Sequence, residues 1–131
     1  QGTVMAYIVE SDKSFYEASV DLEEVILRLG FSLLHVHDLG ASSGGKEIEF
    51  DEEAKVYSVG SQRLTERLLA IDVRLCLALP CRISVFTENG ATKIGMLRPL
   101  AMLGAISPVA GDDGALREFE EKMIQAVDEA R

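Results

Sequence analysis

Cys81 is the residue for which the sequence supplies both a nucleophile and a partner for it. Asn89-Gly90, flanked by two apolar runs, signals a two-residue hairpin turn. Counting outward from that turn sets Glu88 against Ala91, Val85 against Ile94, Ile83 against Met96 and Cys81 against Arg98. One step further Pro80 faces Pro99, where neither strand can donate a ladder hydrogen bond. An arginine across the ladder would stand within about 5 Å of the thiol at the Cβ level. Positive charge there favours the thiolate, the nucleophilic form. The opened ladder would also leave room and backbone groups for a ligand. Against this stands a plainer reading: Cys81 is a small packed side chain, and Arg98 lays its stem along the strand end.

His35 and His37 form the second constellation. In a strand over residues 31–39 they share a face with Phe31, Leu33 and Leu39, because side chains alternate. Two imidazoles could ligate a metal with a carboxylate or Cys81 as the third group. No third ligand stands at a recognisable spacing, so no metal is expected and the histidines read as half-exposed strand residues. Asp38 points the other way and cannot orient His37. The run Glu47-Ile48-Glu49-Phe50-Asp51-Glu52-Glu53 lacks the fixed glycine of a calcium loop, and reads as a solvated segment. Glycines 40, 44 and 45 do not follow a dinucleotide fingerprint. No Ser-His-Asp or Cys-His arrangement is supported beyond the presence of those residue types. The ligand-groove candidates are therefore Cys81, Arg98, His35 and His37. No residue is assigned as catalytic and no cofactor is expected.

These side chains need a sheet and helices to position them. Val4–Glu10 reads as a strand. Ser14-Phe15-Tyr16-Glu17 is a capping box opening a helix whose stripe is Ala18, Leu22, Val25, Ile26 and Leu29, stopped by Gly30. A second strand spans 31–39, a loop 40–53, and a short third strand 54–59. Ser61 caps a shorter helix through Ala70, and the hairpin follows. Leu100–Gly111 is apolar but interrupted by Gly104, Pro108 and Gly111, and reads as a packed connection without a helix. Asp112 or Asp113 starts the last helix, with Leu116, Phe119, Met123, Ile124 and Val127 as its stripe. The order is β-α-β-β-(short α)-β-β-α. It predicts a two-layer α+β fold: an antiparallel-rich sheet of about five strands on two long helices. With no repeat and no linker, residues 1–131 read as one domain.

Composition narrows the partners. The chain carries 13 Lys and Arg against 22 Asp and Glu, a formal charge of −9, with no basic cluster in the sequence. Binding to nucleic acid or to an anionic membrane surface calls for the opposite. No apolar run approaches the roughly 20 residues of a membrane helix. The two cysteines, if on one strand, lie roughly 16 Å apart at about 3.3 Å per residue. That exceeds the reach of a disulfide, about 7 Å between Cα atoms, so both thiols are expected free. Free thiols fit a reducing compartment, and a cytoplasmic location is the expectation. No signal-peptide pattern opens the chain, although a cleaved one would leave no trace, and Gln1-Gly2 reads as foreign to the native protein.

Several of these segments resemble the family named domain of unknown function 302. They are Lys13-Ser14-Phe15, Gly30-Phe31, Leu77-Ala78-Leu79-Pro80-Cys81 and Pro99, and the resemblance spans roughly residues 4–130. It implies a fold like that of the TATA-binding protein, strand-helix-four strands-helix. It carries over no activity, because the family has no settled one, and a shared fold does not transfer DNA binding. Many members carry Cys-Asn-Pro before the short helix, where this chain reads Val59-Gly60-Ser61-Gln62. A thiol or metal site shared with that cysteine would lack half of itself here.

Two functions follow. The first is a non-enzymatic small-ligand-binding or protein-interaction module acting as a homodimer, self-associating through the apolar Leu100–Val109 stretch and an open sheet edge. The alternative is a thiol-dependent enzyme or sulfur-handling protein using Cys81. In that case Cys81 should be alkylated before Cys76, and Arg98→Ala should slow it.

Overall fold

The structure, a computed structural model, describes residues 5–40 and 51–131. Glu47 to Phe50, and with them most of the calcium-loop reading, lie outside the described residues, as do Gly44 and Gly45. The chain runs through β1 (Ala6–Ser11), α1 (Phe15–Arg28), β2 (Ser32–Asp38), β3 (Ala54–Gly60) and α2 (Gln62–Ile71). A 3₁₀ segment (Val73–Ala78) leads to β4 (Cys81–Glu88) and β5 (Ala91–Leu97), then α3 (Pro99–Ile106), α4 (Pro108–Gly111) and α5 (Gly114–Ala130).

The strands form one antiparallel sheet in the order β1-β5-β4-β3-β2. Asn89 and Gly90 both take positive φ, 52° and 86°, as the two-residue mirror-image turn demands. The predicted pairs Glu88–Ala91, Val85–Ile94 and Ile83–Met96 follow. One face of the sheet is covered. Ile83, Val85, Ile94, Tyr57 and Val59 are buried there against α1 and α5. The Tyr57 hydroxyl donates to the Ser19 carbonyl of α1 at 3.2 Å, which places this row under the helices. The Ser14 capping box forms as read from sequence. Asp113 caps α5, accepting the Leu116 N–H while Arg67 forks onto it at 2.6 Å. Arg67 draws the Asp113 carboxyl below the ordinary range.

Four expectations change. Leu100–Gly111 is helical: Pro99 and Pro108 each stand in a first turn, where the missing N–H costs nothing. The glycines expected to break this stretch bring its two helices together instead. A Cβ on Gly104 would sit 3.3 Å from the Gly111 Cα, so each packs where the other leaves room. Cys76 lies in the 3₁₀ segment and not on a strand with Cys81; both thiols are free. β2 carries a bulge between Leu33 and His35, which resets the pleat. Leu33 therefore pairs with Val59 in a covered row, and His35 pairs with Ser58 on the opposite face. Finally, Glu52 is no solvated loop carboxylate. It accepts the Thr87 hydroxyl at 2.6 Å and the Asn89 N–H at 2.9 Å, clamping the hairpin and lying below its usual pKa for that reason.

Candidate functional site

The face of the sheet away from α1 and α5 is where alternation sends the residues between the buried ones. Ile8, Gly95, Ser84, Val56 and His37 form one row across all five strands. Beside it, Ser58 links Arg82 to His35, and Ala6 pairs with Leu97. Gly95 and Ser84 are the small members of the central row, and a hollow forms over them. A Cβ on Gly95 would come within 2.9 Å of Ile8 Cγ1 and 3.3 Å of the Tyr7 carbonyl oxygen, so the bare backbone there is required by its neighbours. Ile8, Leu97, Phe86 and Val56 wall the hollow, and Pro80 and Met102 close one end, enclosing about 270 Å³. Ile8 and Leu97 remain 54% and 45% exposed, more than a covered strand would leave them.

Arg82 and Ser84 are the residues with polar side chains in the lining of this groove. Among the described residues neither has a hydrogen-bond or ion-pair partner. Arg28, Arg67, Arg74 and Arg98, in contrast, are each held by a carboxylate. A planar five-donor cation left free beside a hydroxyl and apolar walls suits a small amphipathic anion.

The four sequence candidates divide between two places. His35 and His37 lie on the bare face at its β2 end, rings 4.1 Å apart and exposed, each one strand from a groove-face residue. Among the described residues no three His, Cys, Asp or Glu side chains are grouped to hold a metal. Cys81 and Arg98 lie away from the groove. β5 ends at Leu97, so the ladder does not extend to a Cys81–Arg98 pair; Cys81 pairs with Val59. Arg98 precedes α3 and turns to the buried Glu120 at 3.3 Å, with its charge 5.4 Å from the Tyr7 ring centre. Glu120 also accepts the Leu100 N–H at 2.9 Å, tying α3 to α5. Burial pushes the Cys81 thiol up to about 12; Arg82 draws it down and Glu120 raises it. Exposed Cys76 is the accessible thiol. Ser61 lines a crevice of about 20 Å³ against Cys81.

Arg82 and Ser84 were the residues sequence reasoning passed over. Their signal was present: with Ile83 and Val85 inside, alternation puts Arg82, Ser84 and Phe86 outside. What it lacked was the hollow over Gly95 and Ser84, which forms only when side chains of β1, β3 and α3 gather around it.

Comparison with known proteins places the chain by family. The model of the domain of unknown function DUF302 matches residues 7–130. A crystal structure of an uncharacterized conserved DUF302 protein from Bacillus stearothermophilus superposes with a TM-score of 0.87 at 25% identity. The match covers 98% of this chain and 100% of that one. No curated protein matches.

Proposed function

Because the chain belongs to the DUF302 family, whose description assigns no activity, we propose from the site alone that it is a non-enzymatic binding module acting as a homodimer. Its ligand is a small amphipathic anion held in the groove on the bare face. The observation that carries this reading is Arg82, without a partner among the described residues, beside Ser84 among apolar walls. An anionic head pairs with Arg82 while an aliphatic body covers Ile8, Leu97 and Met102. Among the described residues lining the groove there is no histidine, cysteine or carboxylate to activate the Ser84 hydroxyl, so the reading is binding without turnover. The thiol alternative has no supporting observation, since Cys81 is buried and its thiol is held protonated at neutral pH.

Support for the second copy has moved from the stretch first suspected. Leu103 and Ala110 are buried within the fold, and Val109 is the large apolar side chain left exposed there. The edge strand β2 now supports self-association better. It has no Lys or Pro, the usual guards of an edge, and it exposes Leu34 and Val36. A cytoplasmic location is part of this proposal, and the free thiols suit a reducing compartment. Among the described residues no helix is long and apolar enough to cross a membrane.

Titration with decanoate, followed by amide chemical shifts, tests the groove. Shifts should saturate at Ala6, Gly95 and Ser84, and Arg82→Ala should weaken binding about tenfold, as the loss of one charge-assisted contact does. Decanol binding as tightly as decanoate, or an unchanged Arg82→Ala, would remove the reading. Sedimentation at tens of micromolar should give a dimer; a monomer of 14.3 kDa there refutes the assembly.

A further inference from the structure

A second cavity, of about 480 Å³, lies on the helix side of the molecule between the end of α1, the start of α2 and α5. Its apolar floor includes Phe31 and Phe119, whose rings meet edge to face with centres 5.2 Å apart. Its rim is cationic: Arg63, Arg67 and Lys122, with Glu118 as the acid. In a chain of charge −9 this concentration of positive groups runs against the composition.

Local pairing does not account for it. Arg63 and Arg67 are like charges one turn apart on α2, an arrangement that destabilises a helix. Asp113 relieves this at Arg67, binding Nε and Nη2. Arg63 has no such relief: Glu66, within its reach on the helix, instead accepts the Gln62 amide at 3.2 Å. Lys122 stands four residues from Glu118 on α5, yet the two form no ion pair. Among the described residues neither Arg63 nor Lys122 has a partner. The first turn of α2, beginning after Ser61, adds its partial positive charge at the same mouth.

We propose that this cleft is a binding site for a small aromatic anion. Its ring lies on Phe31 and Phe119, and its carboxylate or phosphate is taken by Arg63 and Lys122. The floor supplies the flat apolar contact, and the rim supplies two free cations on opposite elements, α2 and α5. An anion between them also removes the repulsion that Arg63 and Arg67 otherwise carry. The site is separate from the groove on the bare face, which lies across the sheet.

Naphthyl phosphate, naphthoate and uncharged naphthol, titrated into the isotopically labelled protein at neutral pH, test this. The two anions should give saturable amide shifts at Gly30, Gly60 and Ala115, and naphthol should bind about tenfold more weakly for want of the charged contact. A preference between the two anions tells phosphate from carboxylate. The double variant Arg63→Ser, Lys122→Ser, at exposed positions, should keep the melting curve and lose about tenfold in affinity. The charge-preserving pair Arg63→Lys, Lys122→Arg should keep most of it. Absent shifts at the cleft up to millimolar ligand, shifts confined to the bare face, naphthol binding equally well, or an unaffected double variant would each overturn the proposal.

Discussion

Ile83 and Ser84 are chain neighbours on one strand with opposite surroundings. Ile83 is fully buried between the sheet and the helices, in a row with Met96 and Tyr57. Ser84 looks out from the other face in a row with Gly95 and Val56. The covered face is filled by apolar side chains; the Tyr57 hydroxyl within it donates to the Ser19 carbonyl, while the Ser19 hydroxyl has no partner among the described residues. The bare face keeps a hollow, and a guanidinium and a hydroxyl that have no partner among the described residues. The difference separates what holds the molecule together from what is available to bind.

The largest effect expected of this contrast is in thiol chemistry. Cys81 belongs to the covered face and at pH 8 has a thiolate fraction on the order of 10⁻⁴. Cys76 is exposed. Iodoacetamide should label Cys76 first, the reverse of the order that the thiol-enzyme reading requires, and Cys81 only as the fold opens. Equal rates in the folded protein would show that the covered face is not closed at Cys81.

Next come the core substitutions. Ile83→Ala should lower stability by about 2–5 kcal/mol in denaturant unfolding, whereas Ser84→Ala should change it by less than about 0.5 kcal/mol. Similar costs for the two would erase the distinction between the faces. Asp113→Ala, at the cap of α5, should cost about 1–2 kcal/mol, and Asp113→Asn less, because asparagine still caps. The charged part of that contribution has a definite sign with pH. The folded pKa of Asp113 is depressed, so the contribution is complete above the unfolded value of about 3.9 and is lost as pH falls through the folded one. The gap between wild type and Asp113→Asn should therefore close in acid. A gap that widened would mean that Arg67 does not stabilise the carboxylate.

The smallest expected effect concerns Arg82. Its replacement by alanine should leave the melting temperature within the spread of surface substitutions, while ligand binding falls. A large loss of stability would mean that the guanidinium is structural and the groove is not a binding site.

Much of the covered face was legible because its signals are local. The Asn89-Gly90 turn set the β4–β5 register, Ser14 with Glu17 fixed the start of α1, and the stripes of α1 and α5 named the helix faces that are buried. Each rests on backbone sterics or on a hydrogen bond between residues a few positions apart. The sequence also determined the alternation that sets Arg82 and Ser84 opposite to Ile83. Tertiary structure alone decided the rest. The bulge at Leu33–His35 depends on pairing with β3 and moved both histidines to the bare face. Gly104 and Gly111 read as breakers until α3 and α4 met across them. Arg98 counted as a partner of Cys81 until Glu120, 22 residues away, took it. That a hollow forms over Gly95 and Ser84, with walls from β1, β3 and α3, depends on contacts distant in sequence that no local pattern encodes.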